Sequence, residues 1–168
     1  CDRRQRQMCI RDSYWMIGNE SWNNNNLNST ADIYAQDVID FSKAMKAVDP
    51  SILIIPNGNN EAFFRTVITK AGDYIDRLCV SNYGVFDFDK GYQTYSDSTK
   101  CLIWPVQTAL NAMNKYGTEE QLKRWKMIVA EYGTIDWAGL WKGVNDMGHA
   151  IVTFDMTGQL LMEPQIEF

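Results

Sequence analysis

Tyr14-Trp15-Met16-Ile17-Gly18-Asn19-Glu20 is four apolar residues, too few for a helix, running straight into a glycine, an amide and a carboxylate. A short apolar run closed by a turn signal is the sequence form of a buried strand. After the asparagine-rich loop of residues 23–28, Ser29 or Thr30 is placed to cap a helix, because a short hydroxyl side chain accepts from the free amides of a first turn. Ile33, Tyr34, Val38, Phe41, Met45 and Val48 then follow at helical spacing until Asp49-Pro50 ends the pattern. That face is expected to pack on the sheet.

The alternation repeats along the chain. Ser51–Ile55 is a β-branched and leucine run broken into a loop by Pro56-Asn57-Gly58-Asn59. Asn59 or Asn60 caps a short helix bearing Phe63, Phe64, Val67 and Ile68, and Arg77–Ser81 makes a third strand before Asn82-Tyr83-Gly84. Cys101–Tyr116 reads as helix ended by Gly117, and Thr118-Glu119-Glu120-Gln121 has the form of a capping box. Met127–Ala130 is the fourth strand, ending at Glu131; a helix from about Val144 to Met162 is closed by Pro164, and Gln165–Phe168 has the form of another strand beginning. Strands and helices in this order predict βαβ units and a parallel sheet, an α/β fold that stops in mid-pattern.

Composition narrows the function classes. A chain of 168 residues, 45% hydrophobic, buries one core, and no second domain is expected. A net charge of -5 and a pI of about 4.8 argue against nucleic-acid binding. No apolar run approaches the roughly 18 residues of a membrane span, so no membrane partner is expected. Cys1, Cys9, Cys79 and Cys101 lack the close pairs of zinc or redox motifs, and the single His149, in a helical stretch, reads as a packed or surface histidine. Neither metal nor cofactor is expected; the compartment and a homo-oligomer of the complete protein stay open.

Arg3-Arg4-Gln5-Arg6-Gln7-Met8-Cys9-Ile10-Arg11-Asp12-Ser13 shows neither helical nor strand periodicity and abuts the apolar run abruptly. It resembles the in-frame translation of a sequencing-library adapter, so residues 1–13 are expected to be a non-native segment and residues 14–168 the folding unit. Four arginines and two aspartates lie in that segment, which leaves -7 on the rest.

Glu20 and Glu131 each directly follow an apolar strand. In parallel βα folds the strand carboxyl ends and their loops form the site, so both carboxylates are expected to face one cleft. Either alone is more often a solvated loop carboxylate. As a pair whose environments separate their pKa values, they can divide acid/base and nucleophile duties. Sugars stack their C–H faces on aromatic rings, and Trp15, Trp22, Tyr83, Trp104, Trp137 and Trp141 include candidates, although each tryptophan singly is more often packing. The polar, aromatic stretch from Val85 to Lys100 is expected to overhang the site.

Trp15-Met16-Ile17-Gly18-Asn19-Glu20 resembles the Gly-Asn-Glu motif ending the fourth strand of the clan of retaining (β/α)8 glycosidases, and Ile128-Val129-Ala130-Glu131-Tyr132 is similar to the end of their seventh. With the helix Tyr34–Val48 and the Ser51 strand, the chain is most similar to the alpha-L-arabinofuranosidase family over nearly all of Tyr14–Phe168. The resemblance implies a partial (β/α)8 barrel, about strands four to seven with the start of strand eight, the C-terminal half of a glycosidase catalytic barrel. It implies a carbohydrate substrate, Glu20 as acid/base and Glu131 as nucleophile. Asn19 would bond the sugar 2-hydroxyl, and Tyr83 would orient Glu131 and keep it ionised. Trp22, Asn82 and Trp137 complete the expected substrate contacts.

The chain departs from that family in having Asn82-Tyr83-Gly84-Val85 in place of a histidine with aromatics, and Ala130-Glu131-Tyr132 in place of an Asp-Glu-Trp-like context. Both changes bear on the sugar, so an agarase, xylanase or glucanase of the clan stays open. So does a non-catalytic carbohydrate-binding barrel. A nucleotide-dependent α/β enzyme is disfavoured, since no Gly-x-Gly-x-x-Gly or Walker-type loop follows any strand. A half barrel leaves open edges and a bare inner face, so the chain alone is expected to be poorly soluble or inactive.

Overall fold

The computed structural model describes residues 13–23, 30–85, 101–134 and 147–167. The basic arm up to Asp12, the aromatic stretch from Phe86 to Lys100, and Trp137 and Trp141 lie outside the described residues. Four parallel strands, β1 (Tyr14–Ile17), β2 (Leu53–Gly58), β3 (Leu78–Val85) and β4 (Met127–Thr134), pair in chain order as a curled half-barrel. The helices between and after them are α1 (Ala31–Val48), α2 (Glu61–Ala71), α3 (Trp104–Tyr116), α4 (Glu119–Arg124) and α5 (Met147–Leu161). Ile166 bridges Met127 in parallel, so the chain turns back onto the sheet beside β4.

The caps decide where the helices start. Thr30 accepts from the Ile33 amide at 3.3 Å, and Asn60, not Asn59, accepts from the Phe63 amide at 2.9 Å. Thr118 and Gln121 form the reciprocal capping box. One core joins sheet residues Ile17, Ile54, Leu78 and Val80 to helix residues Tyr34, Val38, Phe64, Val67, Val106 and Met113. Each fully buried aliphatic or aromatic side chain contributes about 1.5–3 kcal/mol.

Two expectations need correction. The strands run beyond Ile55, Ser81 and Ala130, to Gly58, Val85 and Thr134. Polar residues at strand carboxyl ends read as loop, yet their backbones stay in the ladder, and of them Tyr83 and Glu131 meet at the site while Asn57 and Asn82 are buried. The buried face of α1 also differs: Tyr34, Ala35, Val38 and Ser42 are buried, whereas Ile33, Phe41 and Val48 are exposed. At 3.6 residues per turn these buried positions form an arc turned away from Ile33 and Val48. Small Ala35 and Ser42 let the helix come close, and Ser42 donates to the Tyr74 carbonyl at 3.2 Å.

Among the described residues the curl leaves apolar surfaces open. A cavity of about 530 Å³ is lined by Tyr14, Ile55, Ile128, Val129 and Ile166, and a groove by Trp15, Phe41, Met45, Val48 and Ile52. Glu167 spans the first: it accepts from the Tyr14 hydroxyl of β1 and pairs with Arg77 Nε at 2.5 Å. That ion pair and the Tyr14 hydrogen bond hold the Glu167 carboxyl below its usual range.

Candidate active site

Glu20 sits in a turn just past β1. The β1–β2 ladder runs from Tyr14 with Leu53 to Ile17 with Pro56. Proline has no amide hydrogen to donate, so the ladder cannot continue in the ordinary way. The chain turns instead through Gly18 at φ +69° and Glu20 at φ +46°, both left-handed, a conformation that side chains other than glycine's seldom adopt. Asn57 takes over the pairing: its Oδ1 accepts from the Ser21 amide at 2.8 Å, and its Nδ2 lies 3.0 Å from the Ile17 carbonyl and 3.3 Å from that of Gly18. The Tyr34 hydroxyl donates to the Ile17 carbonyl at 2.6 Å and accepts from the Asn57 amide at 3.0 Å.

Glu131 lies inside β4, where the register with β3 slips. Val80 pairs with Val129 but Ser81 pairs with Glu131, so Ala130 is the extra residue of a bulge. The next slip falls on β3: Asn82 pairs with Tyr132 and Val85 with Thr134. Bulges bend a strand and re-aim its side chains. Here the Tyr83 hydroxyl reaches Glu131 Oε2 at 2.7 Å. Gly84 allows this path, since a Cβ there would stand 2.2 Å from the Leu102 carbonyl oxygen.

The environments of the two carboxylates differ. Desolvation pushes the Glu20 carboxyl above its ordinary range, and the charge of Glu131 raises it further. The Tyr83 hydroxyl is pushed up to about 12, chiefly by its hydrogen bond to Glu131, so it stays a protonated donor. Cys79, two residues before Ser81 on β3, is pushed up to about 11 by burial and is no thiolate nucleophile at neutral pH.

Glu20, Trp22, Asn23, Asn59, Ser81, Tyr83 and Trp104 line one cleft of about 280 Å³. It brings together Glu20, Trp22 and Tyr83 and, through Tyr83, Glu131. Asn19 is exposed in the Glu20 turn. Asn82 is not in the cleft: it is fully buried and donates to the Leu102 carbonyl at 3.3 Å, so its assignment as a sugar contact is corrected. Strand alternation explains this, because Asn82 must face away from Ser81 and Tyr83. Trp104, one of the aromatic candidates, lines the cleft, and Asn57 is the residue the sequence did not single out for this region. The Trp104 indole is anchored by donation to the Gly84 carbonyl at 3.0 Å, with 45% of the residue exposed. Among the described residues, no cluster of metal-ligating side chains occurs and no helix is long and apolar enough to cross a membrane.

No protein-family model and no curated protein matches the chain. Solved structures do. A GH51 alpha-L-arabinofuranosidase from Thermotoga petrophila superposes with a TM-score of 0.70 at 20% identity, over 97% of this chain and 35% of its own. The GH51 arabinofuranosidase from Xanthomonas axonopodis pv. citri gives 0.62 at 21%, over 93% and 37%. The alpha-L-arabinofuranosidase from Thermotoga maritima, solved with arabinose, gives 0.60 at 24%, over 71% and 24%. The chain thus spans about a quarter to somewhat over a third of these proteins, and at such identities the likeness is one of fold alone: a curled half-barrel of parallel strands that matches part of these enzymes.

Proposed function

We propose that the chain is the C-terminal half of the catalytic barrel of a retaining glycoside hydrolase, with Glu20 as acid/base and Glu131 as nucleophile. In the first step a Glu131 carboxylate oxygen bonds to the anomeric carbon, the glycosidic C–O bond breaks, and the Glu20 proton passes to the leaving oxygen. In the second, Glu20 takes a proton from water, the water oxygen bonds to the anomeric carbon, and Glu131 is released. Tyr83 orients the attacking carboxylate, while Asn19 and Trp22 contact the sugar. The substrate we propose is an alpha-L-arabinofuranoside on a plant or algal polysaccharide or oligosaccharide, on the strength of what the superposed enzymes are.

The observation that carries this reading is the asymmetry of the pair. Glu20 is held toward its protonated form by burial and by the charge of Glu131, whereas Glu131 accepts a hydrogen bond from Tyr83. An acid and a nucleophile need that separation.

The test uses the complete protein with methyl and 2,4-dinitrophenyl alpha-L-arabinofuranoside. Glu131→Gln is expected to abolish turnover of both. Glu20→Ala should lower kcat/KM for the methyl glycoside by about 100-fold or more while sparing the dinitrophenyl one, whose leaving group needs no proton. Proton NMR of the first-formed product should show the starting anomeric configuration. Inverted product, or full activity in both variants, rules the assignment out.

A further inference from the structure

Resting on that reading, we infer that Asn57, together with Tyr34, is the positioning residue of the acid/base: it sets the direction of the Glu20 carboxyl by clamping the turn from Ile17 to Ser21. Asn57 is 5% exposed, and its amide is spent on that turn, bonding Ile17 and Gly18 ahead of Glu20 and Ser21 behind it. Its Nδ2 also lies 3.1 Å from the Tyr34 hydroxyl, which itself bonds the Ile17 carbonyl. The amide thus stands in for the strand pairing that Pro56 ends.

Among the described residues the carboxyl has no other holder. Among the described residues no group is hydrogen-bonded to the Glu20 side chain, whereas Glu131 is held directly by Tyr83. The direction of Glu20 therefore follows from its backbone, which sits at φ +46°. A glutamate in that region costs of order 1 kcal/mol and persists only where the surroundings fix it. The buried amide and the phenol supply that fixing. Proton delivery is intolerant of displacement: a misplacement of about 1 Å can cost about 100-fold.

This predicts a signature that general loss of structure does not produce. In the complete protein, Asn57→Ala is expected to lower kcat/KM for methyl alpha-L-arabinofuranoside by about 10–100-fold. It should leave the 2,4-dinitrophenyl substrate within about 3-fold, since departure of dinitrophenolate needs no acid. Added azide should accelerate its second step, because an anionic nucleophile needs no general base. Tyr34→Phe, which keeps the ring in the core, should show the same split more weakly, and it decides the matter if Asn57→Ala does not fold. Equal losses on both substrates in these variants, beside a Glu20→Ala control that does show the split, overturn the positioning role alone. Failure of the unmodified protein on both substrates, or a Glu20→Ala variant without the split, removes the glycosidase reading and this inference with it.

Discussion

Glu20 lines the cleft, Glu131 is joined to it through Tyr83, and the two are held in opposite ways. Glu131 lies within an eight-residue strand, paired to Ser81 through the backbone and bonded to Tyr83 through its carboxylate. Glu20 lies three residues past the last pair of a four-residue strand, in a left-handed turn that a buried amide pins from both flanks. Permanently ionised groups gain from fixed donors; groups that must give up and regain a proton lose by them. In the proposed chemistry the attacking carboxylate is fixed by hydrogen bonding, and the acid is fixed by its backbone, with no hydrogen bond to its oxygens among the described residues. Aim and protonation are thus set by different parts of the fold.

Breaking the first arrangement should have the largest effect. Tyr83→Phe removes a hydroxyl bonded to Glu131 and keeps the ring, and kcat/KM is expected to fall about 100-fold for methyl and dinitrophenyl glycosides alike. A loss confined to the poor leaving group would mean that Tyr83 serves Glu20 instead, and the contrast between the two regions would collapse.

Two glycines separate the regions by stability. A Cβ at Gly84 would meet the Leu102 backbone carbonyl at 2.2 Å, which cannot step aside without moving the start of α3. Gly84→Ala should destabilise the protein by about 2 kcal/mol in urea unfolding. At Gly18 the nearest atom is the Ser21 hydroxyl at 2.6 Å, the end of a short side chain rather than backbone, whose bond to Asn57 Nδ2 is a long 3.4 Å, so the main cost there is the left-handed φ of +69°. Gly18→Ala should cost about 1 kcal/mol. A reversed order would show the Glu20 turn to be the more rigid of the two.

What the sequence made legible was whatever depends on neighbours along the chain. The run from Tyr14 to Glu20 shows a strand and its terminal carboxylate locally, and so does the capping box at Thr118. Pairing is a relation between strands, so the bulge at Ala130 and the slip after Asn82 left no local trace. Pro56-Asn57 was read as a breaker because proline lacks a donor, and nothing near it in sequence reveals that the asparagine replaces that donor for β1, 36 residues from Ser21. Asn82 was avoidable: carrying the third strand through Tyr83 sends it to the opposite face by alternation alone. The buried arc of α1 was missed because Ala35 and Ser42 weigh little in a hydrophobic pattern while governing how closely a helix can approach. The expectation for Trp137 lies outside the described residues.

The smallest effect probes the proton itself. The Glu20 carboxyl is raised from its ordinary 4.5, first by burial and then by the charge of Glu131, so ionising it costs more in the folded chain than in the unfolded one. Stability is therefore fully present below that ordinary value and declines as pH rises through the raised one. Glu20→Gln removes the titration and should raise Tm slightly at pH 7.5 with no gain at pH values below about 4. Solvent screening of a half-buried carboxyl keeps the gain small. With Glu131 already changed to Gln, the second cause is gone and the gain from Glu20→Gln should shrink without vanishing, because burial, the larger cause, remains. Equal gains at both pH values in calorimetry would mean that the substitution acts through packing. The turn would then hold Glu20 in place without biasing its proton, and the asymmetry of the pair would rest on Tyr83 alone.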